Sequence, residues 1–184
     1  MKTYQTDQIK NIALLGNSGS GKTLLAEAML FIGGVIERRG TIEGKNSVSD
    51  YRPIEQENGN SVYSTVMYTE FLNKKINIID APGLDDFCGG VISSLFASDC
   101  AVMTINVQNG VEVGTEIHFR HAEQAAKPLI LAVNGLDHEK ANFEKSVEMM
   151  KERLGSNVVL VQYPVNEGIG FNNRCSEDED AHIS

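Results

Sequence analysis

The chain has 184 residues, about the size of one globular domain, with 41% hydrophobic and 22% charged residues and a formal net charge of −9. That charge argues against a broad basic face for gripping nucleic acid. No run of eighteen apolar residues is present to span a membrane, and the polar start "MKTYQTDQIK" lacks the apolar centre of a secretory signal. Cys88, Cys100 and Cys175 show neither metal-ligand spacing nor a paired framework, so they read as ordinary thiols of a reducing, cytoplasmic protein.

In chain order, "IKNIALLG" is a short apolar run ending in glycine, the pattern of a buried strand. "KTLLAEAMLFIG" repeats apolar residues at helical spacing and stops at Gly33–Gly34. Residues 37–60 are polar and aperiodic, a loop long enough to be functional or mobile. "SVYSTVMYTEFL" and "KINIID" read as a hairpin turning at Asn73–Lys74. There follow a helix over 91–98, a strand "CAVMTINV", a helix from Gly114 to Ala126 and a strand "PLILAVN". A helix "NFEKSVEMMKERLG" and a strand "NVVLVQYPV" complete the series. Apolar strands alternating with amphipathic helices predict an α/β fold: a mainly parallel six-stranded sheet, one antiparallel edge strand, helices on both faces. Residues 1–171 form this domain, and 172–184, with "SEDEDAHIS", form an acidic, solvated tail.

Ligands of such sheets bind at the carboxyl ends of the strands, and three motifs fall there. "GNSGSGKT", comprising Gly16, Asn17, Ser18, Gly19, Ser20, Gly21, Lys22 and Thr23, fits G-x-x-x-x-G-K-[ST] between a strand and a helix. Glycines let successive backbone N–H groups curl around phosphate oxygens, and the helix adds its positive N-terminal end. Lys22 reaches the β- and γ-phosphates, and the Thr23 hydroxyl ligates Mg²⁺. The bare pattern arises by chance in roughly one chain of this length in 150, so the signature of a P-loop NTPase is specific. "DAPGL", Asp80, Ala81, Pro82, Gly83 and Leu84, ends the next parallel strand; Asp80 is placed to hold a water of the Mg²⁺ shell and the Gly83 amide to donate to the γ-phosphate. Asp-x-Pro-Gly on its own is a common turn. "NGLD", Asn134, Gly135, Leu136 and Asp137, ends a later strand. A carboxylate there accepts two hydrogen bonds from guanine and leaves adenine with unpaired polar groups.

The order Gly16–Thr23, then "QENGNSV", Asp80–Gly83 and Asn134–Asp137 resembles the GTP-binding domain of translational GTPases, specifically the elongation factor G family. "GSGKT", "ERRG", "SDY", "DAPG" and "EVGTE" are closer to the divergent elongation-factor-G-like paralogues. The resemblance covers nearly the whole chain. It implies GTP or GDP with Mg²⁺ as ligands, the ribosome as partner, a monomer, and further domains of which this chain is a fragment. It also implies that Ser61, at the position of a threonine in the family's mobile loop, joins Thr23 on the metal.

The same resemblance marks departures. Leu84 stands where the family has the histidine that positions the attacking water. Ser18 and Asn60 stand where an apolar gate flanks that histidine, Gly19 replaces an aspartate, and Gly135 replaces a lysine that covers the guanine. The binding residues are kept while three positions around cleavage are changed, which implies switching with weak or assisted hydrolysis. A neighbour, Asp85, Asp86 or Asn60, is the alternative source of a water-orienting group. Three functions follow: a GTP-driven translation factor, a nucleotide-gated module that does not cleave, or a P-loop ATPase or kinase. His118 and His121, one helical turn apart without partners, read as solvated helix residues. Arg38–Arg39 read as an exposed pair, Met149–Met150 as core and rim, and Asp85–Asp86 as a solvated loop face.

Overall fold

The computed structural model of the chain describes residues 3–169, so the acidic tail lies outside the described residues. Strand β1, Ile9–Leu15, leads into helix α1, Lys22–Ile32. A long connection containing the short helix α2, Pro53–Asn58, reaches β2, Thr65–Phe71, and β3, Lys74–Asp80. Helix α3, Cys88–Ala97, strand β4, Cys100–Asn106, helix α4, Val113–Gln124, strand β5, Leu129–Asn134, and helix α5, Phe143–Arg153, complete the chain order. The sheet runs β2-β3-β1-β4-β5, parallel except for the β2–β3 hairpin.

Alternation along the strands sends side chains to two cores, because successive residues point to opposite faces. Ala13 and Leu15 of β1 with Ala101 and Met103 of β4 meet Val91 and Leu95 of α3 and Ala122 of α4. Ile105 continues that face under Phe143, Val147 and Met150 of α5. Leu14 faces the other way, onto Ala26 and Leu30 of α1 and Met67 and Ile78 of the hairpin. Helix α5 is also locally specified. The Asn142 side chain caps its first turn by accepting from the Lys145 amide at 2.9 Å, and Lys151 and Arg153 sit in its last turn.

Three expectations are corrected. The sheet has five strands among the described residues, since 157–165 pairs with nothing as a strand. Val159, Val161, Tyr163 and Val165 there are mostly in solvent, so no burial offsets the entropy of ordering them against β5, and Pro164 cannot donate to a ladder. The hairpin turns at Leu72–Asn73, one residue earlier than expected, with φ of 47° and 59°. Two consecutive positive φ values are those of a two-residue turn whose twist matches the strands. And His118 is not solvated: it is 0% exposed inside α4.

The segment 37–64 is folded rather than shapeless. Glu27 of α1, itself buried, accepts the Gly40 amide at 2.7 Å and the Val48 amide. Glu55 of α2, also buried, accepts the Val62 and Tyr63 amides at 3.0 and 3.1 Å. Each of these two side chains satisfies two backbone amides, so together they hold the segment at both ends. Replacing Glu27→Ala leaves two amides without their acceptor. The expected result is a loss of about 2–4 kcal/mol of unfolding free energy and faster trypsin cleavage after the exposed Arg38 and Arg39. Unchanged cleavage kinetics would show that Glu27 does not fasten this segment.

Candidate functional site

The site forms where β1 sends the chain to neighbours on both sides, β3 and β4, so the carboxyl ends of three strands open a crevice. Gly16 to Thr23 curl across it. Gly21, at φ 96°, begins α1 and lies so close to the Asn134 side chain that a Cβ would collide with it. Asn134 in turn donates to the Ser20 carbonyl at 3.1 Å, so the end of β5 braces the loop after β1. From below, Thr104 of β4 donates to the Leu15 carbonyl at 3.2 Å and so accepts from the Ser20 hydroxyl at 2.7 Å.

Lys22 is 5% exposed, and its ammonium donates to the Asn17 carbonyl at 2.9 Å. Burial lowers its pKa, while the carboxylates of Asp80 and Asp50 act in the opposite direction. Gly83 abuts it: a Cβ there would run into Lys22 Nζ and the Ser18 amide, so only glycine permits this approach of the loop after β3. Asp80, 0% exposed, receives the Thr23 hydroxyl at 2.8 Å and the Ser49 hydroxyl at 2.7 Å on one oxygen, while its other oxygen has no hydrogen-bond partner. Ala81 and Pro82 are buried behind it.

Asp50 and Ser61 complete the cleft, which is lined also by Ser18, Gly19, Gly21, Lys22, Thr23, Asn60 and Gly83. Burial raises the pKa of both Asp80 and Asp50; hydroxyls oppose that rise, Ser49 and Thr23 at Asp80 and Ser61 at Asp50. One oxygen of each carboxylate is buried without a partner. Unpartnered carboxylate oxygens beside hydroxyls are the donor set of a hard divalent cation, so the residues present fit Mg²⁺.

The structure thus brings together the expected Gly16–Thr23, Asp80–Gly83, Ser61 and Asn134. Gly135 takes a positive φ of 82°, Leu136 packs against the α5 core, and Asp137 is exposed. Leu84 is 37% exposed and starts the turn before α3, its carbonyl accepting the Phe87 amide at 3.0 Å. Asp85 and Asp86 are exposed as expected. Sequence reasoning missed Ser49 and Asp50, because nothing in "NSVSDY" distinguishes inward from outward polar residues. It also missed Thr104, whose "MTIN" context reads as ordinary strand.

Fold and crevice together define a P-loop GTPase. The family described as the elongation factor Tu GTP binding domain matches residues 7–178, and the chain belongs to it. It is 37% identical over 163 residues to the elongation factor G-like protein of Thermotoga maritima, covering 89% of this chain and 23% of that one. It is 34% identical to the peptide chain release factor 3 of Streptococcus pyogenes, covering 90% and 33%. A crystal structure of a Thermus thermophilus protein superposes with a TM-score of 0.77 at 34% identity, covering 80% of this chain and 22% of that chain. The chain is therefore a translational GTPase G domain related to elongation factor G and release factor 3 proteins. It spans between 23% and 33% of the length of the two curated relatives above.

His118 is the buried group that the motifs do not explain. Neither ring nitrogen makes a well-formed hydrogen bond, and its pKa is lowered from 6.5 to about 4. Burial is the main cause; Lys22 and His121 add to it, while Asp85 and the Gly16 backbone oppose it. Because the folded pKa lies below the unfolded one, the unfolded chain binds a proton that the fold excludes between pH 6.5 and about 4. Stability contributed by the neutral ring is complete above that window and falls as pH drops through it, by up to about 1.4 kcal/mol per pH unit. Urea unfolding of wild type and His118→Val at pH 7, 6 and 5 is expected to show a shallower acid loss in the variant. Parallel pH profiles would rule out a buried neutral imidazole.

Proposed function

We propose that this chain is the GTP-dependent switch of an elongation-factor-G-like factor that acts on the ribosome, with GTP hydrolysis slowed by the residues around Leu84. The observation that carries it is the convergence of Lys22, the Thr23–Asp80 hydrogen bond and Gly83 in one crevice, with the folded segment 47–61 closing over it. The backbone of Gly16 to Gly21 would cradle the phosphates and Lys22 would hold the β- and γ-phosphate oxygens. Thr23 and Ser61 would ligate Mg²⁺, with Asp80 and Asp50 holding its waters. A bound Mg²⁺ supplies charge neutralisation for the phosphates. Asp137 would select guanine; Gly135, lacking the long side chain of the family's lysine, leaves one face of the base less covered.

Residues 59–61 and Gly83 line the same crevice, so a γ-phosphate bound there would touch both segments, and the nucleotide state would set the order of 37–62 and 80–90, the surfaces a partner reads. The chain would act as a monomer in the cytoplasm. No described helix is long and apolar enough to cross a membrane. Leu84 supports a second reading, a nucleotide-gated binding module that resets by exchange rather than cleavage.

Titration of the 184-residue chain with GTP, GDP and ATP in Mg²⁺ is expected to favour guanine nucleotides by about 10–100-fold, the worth of one or two unpaired polar groups. Asp137→Ala should erase that preference. Equal binding of ATP would end the guanine reading. For the slowed cleavage, Leu84→His should raise single-turnover GTP cleavage by about 10²-fold or more, since a water-orienting group is worth that much. An unchanged rate would mean that position 84 does not limit hydrolysis.

A further inference from the structure

Ser18 and Asn60, from two segments 42 residues apart, are joined by a hydrogen bond from the Ser18 hydroxyl to the Asn60 side-chain oxygen. Both line the phosphate crevice, together with Ser61 and Gly83. The Ser18 backbone is itself against Gly83 and the Lys22 ammonium, so Asn60 hangs at the end of the crevice where Lys22 and Gly83 meet. The Asn60 amide nitrogen is oriented by donating to the Asn58 carbonyl at 3.1 Å, and Gly59 before it takes a left-handed φ of 64° that ends α2. A side-chain amide has two acceptor sites on oxygen and two donors on nitrogen. With Ser18 and Asn58 each using one, Asn60 keeps one of each free to meet a water.

We propose that Asn60, held by Ser18, is the catalytic residue that orients the attacking water for GTP cleavage in this chain. This rests on the reading of the crevice as a GTP site. In phosphoryl transfer the attacking water lies in line, on the far side of the γ-phosphorus from the leaving oxygen. On that reading Lys22 and Gly83 mark the γ-phosphate end, where Ser18 and Asn60 line the crevice and Leu84 follows Gly83 in the chain. Leu84 has no polar side-chain atom, whereas the Ser18–Asn60 pair stands beside Gly83 and Lys22 with hydrogen-bonding capacity left for that water; Asp50 and Ser61, which also line the crevice, bond to each other. The Asn60 oxygen accepts one water O–H and turns the lone pair toward phosphorus, the role of an orienting amide rather than a base. The water oxygen bonds to the γ-phosphorus as the bond to the β–γ bridging oxygen breaks. The electron pair leaves on GDP, and the water proton passes to a γ-phosphate oxygen of the product.

The test is single-turnover GTP cleavage by the 184-residue chain, with GTP affinity measured in parallel. Asn60→Ala is expected to slow cleavage by about 10–100-fold with affinity nearly unchanged. Asn60→Ile, which fills the same space with an apolar side chain, should slow it as much; Ser18→Ala should give a smaller loss. Wild-type cleavage rates in Asn60→Ala or Asn60→Ile overturn the proposal. So does a wild-type chain that binds GTP without cleaving it, an outcome that leaves the guanine-nucleotide switch standing. Failure of the wild-type chain to bind any guanine nucleotide overturns both.

Discussion

Asp80 is the constraint on which the crevice depends. It is fully buried, it ends the strand paired to both β1 and β2, and it receives hydroxyls from α1 through Thr23 and from the long connection through Ser49. A carboxylate withdrawn from water in this way is costly unless its lone pairs are used. The hydroxyls answer part of that cost on one oxygen, and burial still pushes its pKa up. The same need that makes Asp80 gather Thr23 and Ser49 also brings the phosphate-loop helix, the end of β3 and residues 47–50 to one point. The remaining unpartnered oxygen is what suits that point to a hard cation.

Around this hub the polar groups are arranged in layers with different tasks. The side chains of Glu27 and Glu55 fasten the backbone of the long connection, one at each end. Thr104 and Asn134 brace the phosphate loop from β4 and β5 through Ser20. Only then do Ser18 and Asn60 meet, closing the outer end with a hydrogen bond where an apolar contact would exclude water. If the crevice holds GTP as proposed, this polar closure can meet a water where Leu84 offers no hydrogen bond.

His118 illustrates how far local pattern can mislead. Two histidines a turn apart on a largely polar helix read as solvated, yet His121 is half-buried and His118 fully buried. Helix α4 enters the protein with Gly114 pressed against Asn17 and Asp85, and that close approach turns His118 inward beneath the phosphate loop. The residue pattern of a helix says that it has two faces. It does not say how deeply its first turns are sunk.

The amino-acid sequence by itself determined the chain order of strands and helices, the hairpin and the three motif positions, because periodicity and glycine placement act over a few neighbours. Lys22, Thr23, Asp80 and Gly83 were legible for that reason, their spacing within each motif being local. What only the tertiary structure decided are contacts between distant segments: Ser49 and Asp50 turned toward Asp80, Thr104 and Asn134 under Ser20, and Asn60 against Ser18. Each depends on which way a polar side chain in an aperiodic loop or at a strand end points once the sheet has formed. That 157–165 forms no strand has the same cause. "NVVLVQYPV" has the composition of a strand, but a strand exists only where a partner edge and a covering layer bury it, and neither is encoded within those nine residues.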